Sequence, residues 1–523
     1  MKHKVLITTS GIGSRLGKIT NYTNKCLVRV GSKPVISHII ESYPKETKFV
    51  ITLGYFGNQV RDFIKIAYPK LSVEFVNVDN FVGSGSSLLY SLLQAKSNLQ
   101  LPFIYHACDT ITSEEIPSPT KNWIAGHKGK DSSSYASLSV IGSKVIDIHR
   151  KGHMNYDFLH IGLVGIYNYK EFWKNADNII ENKPLDSTIG DVDVLKKIVP
   201  NNNFKIIDCK NWFDIGSIEG LKHAKKKLTT NKFNVLDKLA ESIYQIDNHI
   251  IKFFSDSKIS NNRVLRAKKL KNTVPKIISS SDNFYKYEYI KGDLFSKIAN
   301  RSNFISLLEW AKKELWIKID NISQDKFSRL CMNFYYDKTL ERVNQFYENK
   351  NIKDSVNIIN DQKIPKLSTL LREINFENLT NQEPTLFHGD FILDNIIKIS
   401  HSKFKLIDWR QDFAGNIQLG DMYYDFAKLS HNLVVNHEII DRNLFTVDIL
   451  DENINLNIHR FQKLVDCENL LFKYLDENNY DVNKVKILRA IIWLNMSPLH
   501  HHPFDLFLYY YGKYELANAI KSN

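Results

Sequence analysis

In HGDFILDN, residues 388 to 395, an aspartate and an asparagine stand five residues apart; the aspartate of FKLIDW follows thirteen residues later. Asp390, Asn395 and Asp408 are the oxygen-bearing groups that phosphoryl transfer from a nucleotide to a hydroxyl requires. One accepts the hydroxyl proton and two hold Mg²⁺ on the phosphates. A second phosphate-handling stretch, TTSGIGSRLGKIT, lies at residues 8 to 20, after the apolar run KVLIT. Backbone amides in its glycine turn can face a phosphate, and Gly11 and Gly13 permit close approach. Position 16 is leucine, where a dinucleotide fingerprint needs glycine, and no Gly-Lys-Ser/Thr closes the loop as in a P-loop. Arg15 and Lys25 bracket the turn. Two cations there suit a triphosphate about to lose pyrophosphate, because negative charge builds on the leaving oxygens.

The elements that must position these groups divide the chain in two. Up to about residue 228, short β-rich runs (KVLIT, KFVITLGY, SVEFVNV, PFIYHACD) alternate with amphipathic stretches (VISHIIESY, GNQVRDFIKIAY, SSLLYSLLQAK). That alternation predicts a largely parallel sheet with helices on both faces and phosphate-binding turns at the carboxyl ends of its strands. A polar connector, KKKLTTNKFN at 225 to 234, follows. Beyond it a small strand-rich lobe, about 235 to 292, precedes a helical, aromatic lobe, about 293 to 523. The fold class expected is therefore α/β: a domain at 1–228 followed by a two-lobed domain at 229–523.

SGIGSRLGKITNYTNKCLVRVGSKPVI resembles the signature of nucleotidyltransferases that activate sugar phosphates and small alcohol phosphates on a GT-A/Rossmann-like fold, over roughly residues 1 to 228. The resemblance implies that Gly11 and Gly13 hold the NTP and that Lys25, with Arg15, neutralises the α-phosphate region or the incoming phosphate. It assigns Mg²⁺ to Asp109 of FIYHACD and Asp214 of NWFDIG, an oxygen-rich set that suits this ion. Gly83 and Gly85 of VGSGSSLLYSL would form the turn beneath the base. Thr9-Ser10 and Asn24 stand where that family has a pair of alanines and a proline. Glycine after the leucine in RLGKIT resembles phosphocholine and inositol-phosphate cytidylyltransferases, which points to CTP.

HGDFILDN with FKLIDW resembles the catalytic loop of the aminoglycoside phosphotransferase and choline kinase superfamily, a protein-kinase-like fold, over about 235 to 523. The resemblance makes Asp390 the catalytic base, Asn395 and Asp408 the Mg²⁺ ligands, and Lys252 of IIKFF the lysine on the α- and β-phosphates of ATP. YKYEYIKG at 285 to 292 is the expected hinge. Asp421 and Asp425 in LGDMYYDFAKL match trailing aspartates that support the loop. NNRVLRAKKLKN is basic where a glutamate partner for Lys252 is expected, and no glycine-rich lid precedes it.

Composition bounds these readings. The chain has 523 residues, 43% hydrophobic, with a net charge of +13. The lysines are dispersed and no aromatic-basic motif accompanies them, which disfavours an RNA-binding scaffold; no nucleic-acid partner is expected. No apolar run of 18 residues exists, so no membrane insertion is expected. The first residues read as a strand, not a signal peptide. Five scattered cysteines without a CxxC pair point to a reducing, cytoplasmic setting. His500, His501 and His502 are consecutive and read as a polar or packing feature, not as a metal site; Asp412 reads equally as a turn residue or a substrate contact. The tyrosines of LFLYYYGKYEL read as core, with cation–π capture of a quaternary ammonium as the alternative.

Together the resemblances imply a bifunctional transferase: ATP phosphorylates a small alcohol, and the phosphate is then coupled to an NTP with loss of pyrophosphate. The product would feed cell-surface polysaccharide (capsule) or lipid synthesis. A choline- or ethanolamine-like alcohol is the first expectation for the acceptor. The rivals are an anomeric sugar kinase making a nucleotide sugar and an active transferase with a non-catalytic sensing domain. Oligomeric state stays open.

Overall fold

The computed structural model describes residues 2–129, 131–182, 188–229, 238–320 and 322–522. The expected connector at 225–234 lies outside the described residues from 230 onward. Two compact units are present: Met1–Ser260 with Ile278–Tyr287, and Asn261–Ile277 with Glu288–Asn523.

The first unit is built on a nine-stranded sheet. Its strands and helices, in chain order, are β1 (Lys4–Thr8), α1 (Val35–Glu41), β2 (Lys48–Leu53), α2 (Gly57–Ala67), β3 (Val73–Asn77), α3 (Leu88–Gln94) and β4 (Phe103–Ala107). After β5 (Thr110–Thr112) come β6 (Trp123–His127), β7 (Ser137–Ile141), β8 (Lys144–His149), β9 (Phe158–Ile166), α4 (Tyr169–Asn182), α5 (Asp191–Ile198), β10 (Phe204–Asp208), β11 (Trp212–Asp214) and α6 (Ile218–Leu228). The sheet order is β3-β2-β1-β4-β9-β6-β10-β8-β7. β3, β2, β1 and β4 run parallel, in register from Lys4 against Lys48 and Phe103; β9 joins β4 antiparallel. The four strands and three helices expected from the alternation are all present.

The pleat explains why these strands are continuous Val/Ile/Leu runs. Successive side chains of β1 enter opposite cores. Val5 and Ile7 pack with Ile36 and Ile39 of α1 and Val60 and Phe63 of α2. Leu6 packs with Leu89 and Leu92 of α3, Trp173 of α4 and Leu195 of α5.

The boundary expected at residue 228 does not divide the compact units. A four-stranded sheet, β12 (Glu241–Ile246), β13 (His249–Phe254), β14 (Ile277–Ser280) and β15 (Phe284–Glu288), is ordered β12-β13-β15-β14. Tyr244, Ile251, Phe253 and Phe284 from this sheet share one core with Phe63 and Ile64 of α2. The Phe63 ring lies 5.4 Å from Tyr244 and 5.9 Å from Phe284. Tyr244 donates to Leu27 O at 2.7 Å and Lys286 to Ile66 O at 3.1 Å. The small lobe's apolar face is therefore satisfied inside the first unit, and residues 241–254 and 278–287 belong there.

The second unit contains the last residues of α7 (Ser257–Leu270) and a mainly helical body. That body comprises α8 (Arg301–Glu314), α9 (Gln324–Met332), α10 (Lys338–Lys350), α11 (Met422–Val434), α12 (Gln462–Glu477), α13 (Val482–Met496) and α14 (Phe504–Lys521). A hairpin of β16 (Ile396–Ser400) and β17 (Lys403–Leu406) interrupts it, with Ile396 opposite Leu406. Trp409 and Trp493 are fully buried. Among the described residues no helix is long and apolar enough to cross a membrane.

Candidate active sites

The first loop leaves the carboxyl end of β1. Gly13, at φ 72°, opens a 3₁₀ turn over Ser14–Asn21. A methyl group on Gly13 would sit 2.9 Å from Lys25 Cβ and 3.2 Å from Thr20 Cγ2. Glycine is thus required both by the left-handed backbone and by the lysine pressed against it. Asn24, which replaces the proline of the resembled family, is fully buried. Its Nδ2 donates to Thr9 O at 2.8 Å and Tyr55 O at 2.6 Å, while its Oδ1 accepts from Cys26 N at 3.0 Å. That clamp fixes Lys25 beside the loop. Gly13→Ala is expected to lower NTP turnover by about tenfold or more by displacing Lys25, and to lower stability by about 1 kcal/mol or more for the strained backbone. Pyrophosphate release and a thermal melt measure the two effects.

Asp109 follows β4 and Asp214 ends β11, and the pairing of β11 with β5 sets Asp214 opposite Thr110. Ile215 N donates to Asp109 O at 2.8 Å. A β-carbon on Gly216 would lie 2.7 Å from Arg15 Nη2, 3.0 Å from Asp109 Oδ2 and 3.0 Å from Asp214 Oδ1. One point therefore gathers three of the expected groups, and Lys25 Nζ joins them 3.0 Å from Asp109 Oδ2. Burial pushes the Asp109 carboxyl up, but Lys25 and Arg15 outweigh it and hold it below the usual carboxylate range. Burial opposes the Lys25 ammonium, and Asp109 with Cys108 more than offsets that, so the lysine stays charged. These four groups line a cavity of about 420 Å³, as does Gly11.

Gly83 and Gly85 take φ of 80° and 85° in the expected turn. They shape it without lining the cavity; Phe81, Ser86 and Ser87 do the lining. Sequence reasoning missed Tyr135, whose hydroxyl donates to Asp214 Oδ2 at 2.7 Å, and the buried pair His160 Nε2···Asp191 Oδ2, 2.8 Å apart at the cavity wall. No motif announces Tyr135 in its serine-rich loop. Trp212, in the same NWFDIG stretch two residues before Asp214, lines the cavity as well.

In the second unit the hairpin does the positioning. Because β16 starts at Ile396 and β17 ends at Leu406, Asn395 and Asp408 flank its open end, and Ile407 N donates to Asn395 O at 2.9 Å. Asn395 Nδ2 donates to Asp390 Oδ2 and to Asp390 O, both at 2.9 Å. Asp408 stands close enough to oppose ionisation of Asp390. Asp408 has φ 61°, a left-handed conformation that costs a non-glycine residue energy and is concentrated at functional sites. Asp425 is fully buried and accepts from His388 N and Gly389 N, each at 2.7 Å, and from Trp316 Nε1 at 3.1 Å. Asp421 caps α11 through Tyr423 N at 2.9 Å and accepts from Tyr335 OH at 2.6 Å. Asp425 thus holds the loop from behind, while Asp421 fixes the start of α11.

Two contacts were not legible. Lys428 of α11 places its Nζ 2.8 Å from Asp390 Oδ1. Burial alone would raise the Asp390 pKa; Lys428 outweighs it and keeps the carboxylate ionised. Arg263 of α7 donates to Asp408. The basic helix thus sends its arginine to the Asp408 carboxylate, where the kinase pattern leads one to expect a glutamate serving the lysine. Lys252 is buried on β13, in the first unit. The hinge stretch 285–292 starts in β15 and crosses the division between units at Tyr287.

His500 and Tyr509 pack, whereas His501 and His502 are exposed. The His500 ring meets Phe504 edge-on at 5.0 Å, and burial lowers its pKa to about 4. Tyr509 of α14 stacks on Phe346 at 4.6 Å and its hydroxyl meets Tyr347 OH at 2.8 Å. Asp412 Oδ1 accepts from Gly415 N at 3.0 Å, a turn contact. Among the described residues no group of three or more His, Cys, Asp or Glu is arranged to hold a metal. Each centre instead offers two hard-oxygen side chains, Asp109 with Asp214 and Asn395 with Asp408. Such a pair fits Mg²⁺ when nucleotide phosphates supply further ligands.

No family model matches the chain. Bifunctional protein GlmU of Methanococcus maripaludis is 25% identical over 219 residues, 40% of this chain and 51% of that protein. The choline-phosphate cytidylyltransferase of Streptococcus pneumoniae is 31% identical over 106 residues, 20% of this chain and 44% of its own. The N-terminal region is similar to nucleotidyltransferases. A probable glucose-1-phosphate cytidylyltransferase of Bacillus subtilis adds 26% identity over 115 residues, 22% of this chain and 42% of that one. The chain spans about half the length, or less, of these curated relatives. Among solved structures, the Streptococcus pneumoniae CTP:phosphocholine cytidylyltransferase covers 44% of this chain and 100% of its own, at 20% identity and a TM-score of 0.39.

Proposed function

We propose that the chain is a bifunctional enzyme in which the second unit phosphorylates a small alcohol with ATP and the first couples that phosphate to an NTP. The observation that carries the transferase half is the convergence of Arg15, Asp109 and Asp214 on Gly216, with Lys25 ion-paired to Asp109. A substrate phosphate oxygen attacks the α-phosphorus of the NTP. The bond from that phosphorus to the β-bridging oxygen breaks, and pyrophosphate leaves with the electron pair. Arg15 and Lys25 stabilise charge on the leaving oxygens. Asp109 and Asp214 would hold Mg²⁺, which supplies Lewis-acid neutralisation of the phosphates when bound. Two relatives named as cytidylyltransferases support CTP as the nucleotide. Pyrophosphate release is expected with CTP above UTP, dTTP, GTP and ATP when a phosphorylated alcohol or sugar 1-phosphate is present. Equal, background release with all five would contradict this half.

For the kinase half, the support is Asp390 beside Asn395, with Asp408 at the same hairpin mouth. The acceptor hydroxyl oxygen attacks the γ-phosphorus, its proton passes to Asp390, and ADP leaves. Asn395 and Asp408 would hold the metal. The Arg263 contact to Asp408 favours a second reading, in which the arginine stands in for the metal and the second unit binds nucleotide without turnover. ADP formation that requires both an alcohol and Asp390 supports the first reading; nucleotide binding without ADP formation supports the second. Either way the product of the first unit is an activated donor of the kind used for polysaccharide or lipid assembly.

A further inference from the structure

On the kinase reading, the acceptor docks beside Asp390, where three cationic side chains gather around the loop. Arg410 N donates to His388 O at 3.0 Å. The Arg410 side chain lies against Gly389, where an added methyl would meet its Cβ at 2.6 Å and its Cδ at 3.1 Å. Its guanidinium carbon is 4.9 Å from the centre of the Phe334 ring, and Lys338 Nζ is 4.4 Å from the same centre. Phe334 is backed by Phe413, stacked at 4.4 Å, and Tyr424, edge-on at 4.9 Å. It lies in a π-helical turn, Asn333–Asp337, wedged between α9 and α10, a distortion that recurs at functional positions. Lys428 completes the set on Asp390 itself.

Lys428 has Asp390 as its partner, but the other two cations lack an ionic one. Among the described residues, Lys338 and Arg410 form no ion pair, and the Arg410 Nε is buried without a hydrogen-bond acceptor. The nearby acids are engaged: Asp390 with Lys428, Asp408 with Arg263, and Asp412 in its own turn. A buried donor left unsatisfied calls for a missing partner, and clustered cations are stable when an anion bridges them. Burial, together with Arg410, Arg342 and Lys428, pushes the Lys338 ammonium down to about 7 against the pull of Asp412.

We infer that the Lys338–Arg410–Lys428 cluster binds an oxyanion of the acceptor, so the alcohol phosphorylated by the second unit carries a carboxylate or phosphate group. This departs from the choline-like acceptor that the sequence suggests, because a quaternary ammonium would face like charges on this wall. It rests on the kinase reading and names the substrate class of that site. Docking an anion restores the Lys338 proton, so acceptor affinity falls as pH rises through about 7.

The test is ADP formation by the full chain with ATP and, separately, glycerate, gluconate, glycerol 3-phosphate, glycerol, glucose and choline. Turnover is expected with one or more of the three acidic alcohols and to be at least about tenfold weaker with the neutral and cationic ones. Lys338→Gln raises the KM of the acidic alcohol by about tenfold or more, with the KM for ATP unchanged, and Lys338→Arg restores it. Preference for choline, glycerol or glucose, abolished by Asp390→Asn, overturns this inference and leaves the kinase reading standing. A rise in the KM for ATP in Lys338→Gln also overturns it, since the cluster then serves the triphosphate. ADP formation indifferent to every alcohol and to Asp390→Asn removes both.

Discussion

Asp109→Asn is expected to cut NTP-dependent pyrophosphate release by about a hundredfold to a thousandfold while leaving ATP-dependent phosphorylation intact. The substitution keeps the shape of the side chain and removes one negative charge. That charge is the partner of Lys25 at 3.0 Å and half of the carboxylate pair gathered at Gly216. Lys25 is a partly buried cation whose charge Asp109 favours. On the proposed function, losing the carboxylate would remove one of the two side chains proposed to hold Mg²⁺ and would unpair Lys25. Removing one such preorganised electrostatic element costs about 10² to 10³ in kcat. The backbone contact from Ile215 N to Asp109 O does not involve the side chain, so the loop keeps its course. A KM effect alone, with kcat unchanged, would mean that the pair merely binds nucleotide.

Asp390→Asn carries the second large effect. Loss of a positioned base lowers alcohol phosphorylation by about 10² to 10⁴. Asn395 can still hydrogen-bond the backbone oxygen of residue 390, so the loop has a reason to stay closed. Lys428, partly buried, loses its partner at 2.8 Å, so stability is expected to fall together with activity. A melt separates the two, because Lys428→Met in the same background relieves the unpaired charge. The double variant is expected to regain the melting temperature and not the activity. Recovery of activity with the melting temperature would show that Asp390 only balances Lys428. ADP formation measured with the best acceptor is the readout.

How far the sequence carried the reading depends on what each feature is made of. The parallel strands were legible because continuous Val/Ile/Leu runs such as KVLIT and KFVITL are the pattern of strands buried on both faces. The grouping of Asp390, Asn395 and Asp408 was legible because its spacing is local, five residues and then one hairpin, whereas Arg15, Lys25, Asp109 and Asp214 span about two hundred residues and were joined only by the resemblance. The partner of the small sheet was not. Tyr244, Ile251, Phe253 and Phe284 announce a half-buried sheet, yet nothing in their order says that Phe63 of α2 completes their core. The cations around Asp390 escaped notice for the same reason. Lys338, Arg410 and Lys428 are scattered over some ninety residues of a chain rich in lysine, and only the packing around Phe334 and Gly389 assembles them. Arg263 was visible as a basic intrusion in its helix, but its destination at Asp408 was not.

The claim at the centre of the account is that two phosphorus-transferring centres act in sequence on one metabolite. Phosphorus NMR of the full chain with ATP, CTP, Mg²⁺ and the accepted alcohol follows each species directly. The expected record is a phosphomonoester that appears first and is then replaced by a diphosphate ester as pyrophosphate accumulates. Asp109→Asn should halt at the phosphomonoester, and Asp390→Asn should form nothing until that phosphomonoester is added. A diphosphate ester formed at the wild-type rate by Asp390→Asn from the free alcohol, or a phosphomonoester that never declines in the wild type, would contradict the account.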